Sequence, residues 1–340
     1  MLATRRRSRP GPLVRVGLVT ALLLGMATLS SSAAEDPDYP GLPALGTGQW
    51  IVPQATGSTY AAAARQWARV PDIQAIAYSR PATRLVDRSC RAGSRLYPYQ
   101  SVEKYSAAIF MVSPRGAPEP YGFHGPFPVR TVAFGAIPVQ AEIRLRQPRD
   151  AENLPVPLEA RQEARTFCAG EGPFAGREET EQHVADTHVA GEVQVEVTAL
   201  AVDGVDLDLR PTCRSPFTEL ALTAPDFYAA DPDVRPEENP QVPGNLHTTP
   251  YFLFTYGGLL TGELTIPPFT GCVTAAGEDL SALLTAAVSG PGNKVRLRSQ
   301  ALSGSANDDA ARCWRDHSCP PLDPMPLPGR PGDAGTAPRR

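Results

Sequence analysis

The sequence predicts a mainly β protein, an antiparallel β-sandwich with one covering helix, on three observations. Between about residues 100 and 300, apolar and polar residues alternate with a period of two in several segments, the pattern of strands with one buried face. Proline makes up 37 of 340 residues against a usual level of about 5%. Its spread along the chain opposes long helices and favours strands joined by turns. Strand-sized runs also recur between Gly, Pro, Asn and Asp punctuation, as in all-β domains.

Residues 1–34 read as a secretion signal. Arg5, Arg6, Arg7, Arg9 and Arg15 open the chain, no acidic residue precedes Glu35, and an apolar run extends from Val16 to Leu29. Ser30-Ser31-Ser32-Ala33-Ala34 then supplies small residues for cleavage after Ala34 or Ala33. A membrane span needs roughly 20 apolar residues, more than this run holds, so no transmembrane anchor is expected after cleavage. Pro10 and Pro12 interrupt a twin-arginine motif, and no cysteine near the cleavage site invites a lipid anchor.

Removing the signal leaves 27 basic against 36 acidic residues, a net charge of −9. Nucleic acid is excluded as a partner, because phosphate binding relies on clustered Lys and Arg. Only Lys104 and Lys294 stand beside 30 arginines, a composition that points to GC-rich coding. The expected location is extracellular.

Six cysteines follow the signal: Cys90, Cys168, Cys213, Cys272, Cys313 and Cys319. An even number in an exported chain reads as three disulfides, with 15 possible connectivities. Cys313 and Cys319 are close enough to close a local loop. Cys213 and Cys272 each follow an expected strand and meet if both strands end at one edge, which leaves Cys90 with Cys168.

Four segments are expected: the signal 1–34, an extended leader with a short helix 35–85, a β-sandwich domain 86–302, and a Pro/Gly-rich tail 303–340 holding a small disulfide loop. In the leader, Ser58 as N-cap, the alanines 61–64 and Pro71 as a stop predict a helix from Thr59 to Val70. Strands are expected over Tyr105–Val112, Val129–Phe134 and Val139–Arg146, the last alternating through eight positions.

Gly191–Arg210 reads as a hairpin around Asp203-Gly204. A two-residue turn puts Val193, Val195 and Val197 on the face opposite Val205, Leu207 and Leu209. A three-residue loop pairing 201 with 205 is therefore expected, or a bulge near Thr198 that restores the register. Further strands are expected over Phe217–Leu222, Tyr251–Tyr256, Leu259–Ile266 and Lys294–Arg298, and 225–240 as an exposed acidic loop. Leu280, Leu283, Leu284, Ala287 and Val288 keep the spacing of a buried helical stripe, with Glu278 and Asp279 at its start and Gly290 at its end.

No catalytic, cofactor-binding or metal residue is assigned, and no cofactor is expected. His183 and His188 are five apart, which suits neither helix nor strand ligation, and read as exposed loop histidines. Asp203, Asp206 and Asp208 lack the spacing and bidentate Glu of a calcium loop. No Gly-x-Ser-x-Gly elbow occurs. His124, in Tyr121-Gly122-Phe123-His124-Gly125, is a base only if an acid meets it in space; a turn packed with aromatics is the commoner explanation. Ser289-Gly290-Pro291-Gly292-Asn293 follows its helix and so reads as a stop, not a phosphate cradle. The tyrosines and phenylalanines of 97–127 and 251–256 read as core before they read as a ligand strip.

The segment Gly257–Cys272, with the helix from Glu278 and the closing Ser289–Asn293, resembles secreted proteins of unknown function from high-GC Gram-positive (actinobacterial) bacteria. The resemblance covers about residues 100 to 300. It implies a signal peptide and an extracellular fate, and it brings no activity or site residues. The expected function is a non-catalytic β-sandwich acting as a binding or structural module at or beyond the cell surface, toward a cell-envelope or apolar ligand. The alternatives are a secreted hydrolase assembled from distant residues and an apolar-ligand carrier.

Overall fold

A computed structural model describes residues 35–91, 99–133, 137–168, 171, 181–224, 228–230, 252–255, 257–302 and a few positions between 322 and 328. In chain order the strands are β1 (Gln49–Ile51), β2 (Gln54–Ala61), β3 (Gln66–Ser79), β4 (Thr83–Ser89), β5 (Tyr99–Met111), β6 (Phe123–Ala133), β7 (Ile137–Arg146) and β8 (Leu158–Thr166). There follow β9 (Glu181–Val202), β10 (Val205–Asp206), β11 (Thr218–Ala224), β12 (Tyr228–Ala230), β13 (Phe252–Leu253), β14 (Gly257–Ile266), the helix α1 (Ser281–Val288) and β15 (Gly290–Gln300).

The mainly β expectation holds, but the sandwich does not form. Strands β2, β3, β5, β8, β9, β11, β14 and β15 pair antiparallel in that order, and β15 returns to β2. The result is a closed eight-stranded up-and-down barrel. Closure depends on β3, whose first half pairs with β2 while its second half, Ala75–Ser79, pairs with Ala107–Met111 of β5. Alternation shows only that each strand has one dry face, which a sandwich and a barrel satisfy alike.

The inward row on the barrel strands includes Ala77, Ala107, Met111, Leu158, Ala160, Val189, Leu222, Ala224, Leu260 and Leu264, all buried. The alanines leave room for Phe252 and Phe254, 0% and 1% exposed, and for Leu302. Two buried polar side chains hold that insert. Gln162 Nε2 donates to the Phe252 carbonyl (2.9 Å), Gln162 Oε1 accepts from the Phe254 amide (3.1 Å), and Thr187 Oγ1 also donates to the Phe252 carbonyl (3.2 Å). The expected strand Tyr251–Tyr256 is thus, in its described part, a two-residue β13 followed by a lumen plug. The outer wall is charged: Glu159, Arg161, Glu163 and Arg165 alternate with inward residues along β8, facing Asp186 and His188 of β9.

The helix expected over Thr59–Val70 is instead the β2–β3 hairpin. Its alanines follow helix propensity, but burial of Ala55 and Val70 and the Tyr60–Trp67 cross-strand ring pair (5.3 Å) override that preference. The expected domain boundary near residue 86 therefore dissolves, since β2 and β3 are barrel staves. The leader before them is ordered: Leu42 is fully buried, and with Tyr39, Leu45 and Trp50 it covers Ile76, Tyr78 and Phe110 on the outer face of β3 and β5.

The 22-residue β9 outruns the barrel, and its second half pairs with β7, which pairs with β6. Val195, Val197, Leu200, Phe269, Leu284 and Ala141 form a second core there, under the expected helix, but of its expected stripe Leu284 alone is buried, Leu280 and Val288 pack partly against the core, and Leu283 is exposed. The expected three-residue loop is corrected: Val202 pairs with Val205, so Asp203-Gly204 is a two-residue turn with φ of 50° and 78°. The parity is restored by the alternative device, a bulge at Thr198, where Val197 and Ala199 face consecutive residues Ile143 and Glu142. Val197 and Leu200 are both buried as a result.

Two disulfides join Cys90 to Cys168 and Cys213 to Cys272. Cys313 and Cys319 lie outside the described residues, as do the signal segment and most of the tail and of 225–240; within that last stretch, 228–230 is strand β12 rather than loop. No helix among the described residues is long and apolar enough to cross a membrane.

Candidate functional site

A cleft of about 500 Å³ opens where β6 passes the barrel wall, lined by Pro71, Asp72, Gln74, Val112, Ser113, Pro114, Arg115, His124, Gly125, Pro126 and Phe127. Each lining segment departs from regular pairing beside a proline. On β3 the register against β2 slips between Val70 and Ile73, which leaves Pro71 and Asp72 as a bulge. On β6 it slips between His124 and Phe127, which leaves Gly125 and Pro126 out of the ladder. Proline lacks the amide that pairing needs, and bulges re-aim the side chains beside them. Ser113 sits just past β5, before Pro114.

Gly125 has a φ of 103°, and a Cβ there would lie 2.6 Å from the Ile143 carbonyl oxygen. Only glycine lets β6 approach β7 so closely while turning His124 toward β3. The imidazole stacks on Phe127 at 5.6 Å between centroids. Ser113 is fixed through its backbone, whose amide donates to the Pro120 carbonyl (2.9 Å), while the Val112 amide donates to Gln74 (3.0 Å). Gln147, fully buried, clips the end of β5: it accepts from the Met111 amide (2.8 Å) and donates to the Ile109 and Val156 carbonyls (3.0 Å each). The loop 114–121 is braced by Glu119, which receives Arg146 (2.8 Å) and Arg149 (2.9 Å).

Three residues that line this cleft each hold a buried polar atom that lacks a hydrogen-bond partner: Asp72 Oδ1, Ser113 Oγ and His124 Nε2. Burial pushes the His124 imidazole down to about 4, only partly opposed by its bond to the Pro71 carbonyl, so the ring is neutral at pH 7. With Nε2 unpartnered, that bond uses Nδ1–H, and Nε2 is left as an acceptor. Burial raises the Asp72 carboxyl above its ordinary value, and a hydrogen bond from Gln74 partly offsets this.

Ser113, His124 and Asp72 invite comparison with a nucleophilic triad, but the bonds of a triad are not made. Since Ser113 Oγ and His124 Nε2 are both unpartnered, neither bonds the other. The imidazole's own hydrogen bond goes to a carbonyl, not to a carboxylate. A triad requires the base to touch the hydroxyl and the acid to orient the base.

The other sequence candidates lie apart. His188 and Asp186 form an exposed pair (2.8 Å) on strand β9; His183 is on that strand too, so neither is a loop histidine. Asp206 is spent on the Asp208 amide (3.0 Å). Among the described residues no group of three His, Cys, Asp or Glu side chains is arranged to hold a metal ion. Sequence reading singled out His124 but missed Asp72 and Ser113; the signal available was a proline beside each. No protein-family model, curated protein or solved structure matches the chain.

Proposed function

We propose that the mature chain is an exported, disulfide-braced β-barrel acting as a non-catalytic binding module at or beyond the cell surface, with the cleft as its ligand site. One observation carries the reading: the cleft is lined by three residues, Asp72, Ser113 and His124, that each hold a buried polar atom without a hydrogen-bond partner. Native proteins rarely leave such groups orphaned, so three along one cleft mark it as a site rather than as packing alone. The carrier alternative needs a lined internal cavity, whereas Phe252, Phe254 and Leu302 fill the lumen. The signal-like residues 1–34 and the likeness to secreted actinobacterial proteins support export.

Mass spectrometry of protein recovered from culture medium tests the export: a chain starting near Glu35 and six hydrogens short of its reduced mass is expected. A full-length or fully reduced mass overturns it. Nitrophenyl esters and glycosides test the catalytic alternative. Wild type and His124→Gln should be equally inert, and turnover lost specifically in His124→Gln would establish the hydrolase instead.

A further inference from the structure

We propose that the C-terminal segment around Met325 is a displaceable strap, seated on a face of the outer barrel wall that binds small oxyanions. The face lies where β2 runs between β3 and β15, and none of its residues lines the cleft. Leu297, opposite Gly57, packs against the lumen core, so the residues that alternate with this pair point outward. They are Thr56 and Ser58 on β2, Arg296 and Arg298 on β15, and Arg69 on β3. Ser58 stands directly between Arg69 and Arg296, and Thr56 stands opposite Arg298. Cross-strand partners lie about 4.5–5.5 Å apart at Cβ, so three arginines flank two hydroxyls.

An outer wall is ordinarily wet, yet Thr56 and Ser58 are buried and Arg298 is 7% exposed. Met325, buried itself, sits on both hydroxyls: its amide donates to Thr56 Oγ1 (3.3 Å) and its thioether sulfur accepts from Ser58 Oγ (3.6 Å). The seat matches the cations beside it poorly. Arg298 keeps two buried donors, Nε and Nη1, without an acceptor. Burial, and then the like charge of Arg296, pull its guanidinium below the ordinary value, and no carboxylate among the described residues offsets them. It stays charged at neutral pH, because arginine is not deprotonated in proteins. A thioether and a backbone amide bring no negative charge to this face. An oxyanion brings charge and acceptors for guanidinium and hydroxyl donors together, the chemistry for which arginine suits phosphate and carboxylate. Arg69 is exposed and Arg296 half-buried, so an anion meets them first and then competes with Met325 for Thr56 and Ser58. The chain's net charge of −4 does not oppose this, since salt screens charges beyond about 10 Å.

The test labels the methionine methyls of the full chain with carbon-13 and titrates sodium phosphate and sodium acetate, with sodium chloride at matched ionic strength. Among the four methionines, Met325→Ala identifies the Met325 signal, and Met111, in the lumen core, is the internal control. At least one oxyanion should move the Met325 methyl saturably toward its unfolded-chain position and leave Met111 in place. A response to phosphate alone supports a phosphate-bearing ligand, and one to acetate alone a carboxylate. Arg298→Gln and, separately, Arg296→Gln should weaken the binding by about tenfold or more, the worth of a hydrogen bond to a charged group. Met325→Ala, followed through the Ser58 amide, should bind the same anion more tightly, because its strap competes less. A Met325 methyl that stays fixed overturns the proposal, and so does an equal response to chloride, which would reduce the effect to screening. Undiminished affinity in both arginine variants overturns the anion face, and unchanged or weaker affinity in Met325→Ala overturns the competition.

Discussion

His124 shows how one residue's surroundings become a measurable property of the fold. Its imidazole is neutral because burial beside Phe127 disfavours the charged form more than the Pro71 carbonyl favours it. Asp72 and Arg115 are the charged groups that share its cleft. The folded value lies near about 4 and the unfolded one near about 6.5, so the unfolded chain binds the extra proton between them. His124's contribution is fully present above about pH 6.5 and is lost as pH falls toward 4, for a total of about 3 kcal/mol. Urea unfolding at a series of pH values should show that slope in the wild type and lose it in His124→Gln. Glu119 acts in a lower window. Burial alone would raise its carboxyl, but Arg146 and Arg149 hold it below the ordinary value, so its contribution goes only as pH falls through the carboxylate range.

At the scale of elements, the lumen plug and the long β9 explain most of what departs from regular pairing. The 252–254 segment brings backbone polar groups into an apolar barrel, which is tolerable only because Gln162 and Thr187 satisfy them. Gln162→Leu keeps the volume similar but strands the Phe254 amide. A loss of about 2–4 kcal/mol is expected, read as a lower denaturation midpoint at unchanged m-value. An unaltered midpoint would mean that the plug finds other partners. The hairpin after β9 makes the converse point. The place of its turn, Asp203-Gly204, is legible in two letters of sequence, but the choice between a three-residue loop and a two-residue turn with a bulge at Thr198 is made only where β9 meets β7.

For the whole molecule, closure and covalent bracing do different work. The barrel closes through five residue pairs between β3 and β5, and β4, continuing past Ser79, pairs only with the first part of β5. Cys90 follows β4 directly, and its bond to Cys168 spans a separation of 78 residues while tying this edge to the end of β8. The double variant Cys90→Ser/Cys168→Ser should lose about 2–5 kcal/mol. Hydrogen exchange should rise first at Thr83–Ser89, the exposed strand beside the bond. Uniform loss of protection across the barrel would show instead that the bond supports closure itself. The charged outer row of β8 marks that wall as solvated, since a lipid-facing barrel presents an apolar band.

Local pattern by itself determined the β character, the position of α1, the strands β7 and β14, and the place of the hairpin at Asp203-Gly204, because each depends on near neighbours: side-chain period and turn chemistry. The alanines 61–64 misled the same kind of reading, since helix propensity is worth tenths of a kcal/mol per residue and burial between β2 and β3 outweighs it. Only the tertiary structure decided between sandwich and barrel, because the deciding β3–β5 pairing joins strands whose own alternation suits either. It alone assembled the cleft. Asp72, Ser113 and His124 come from three separate segments, and what marks them is that each holds an unpartnered buried polar atom along one cleft, a property that exists only once the chain is folded.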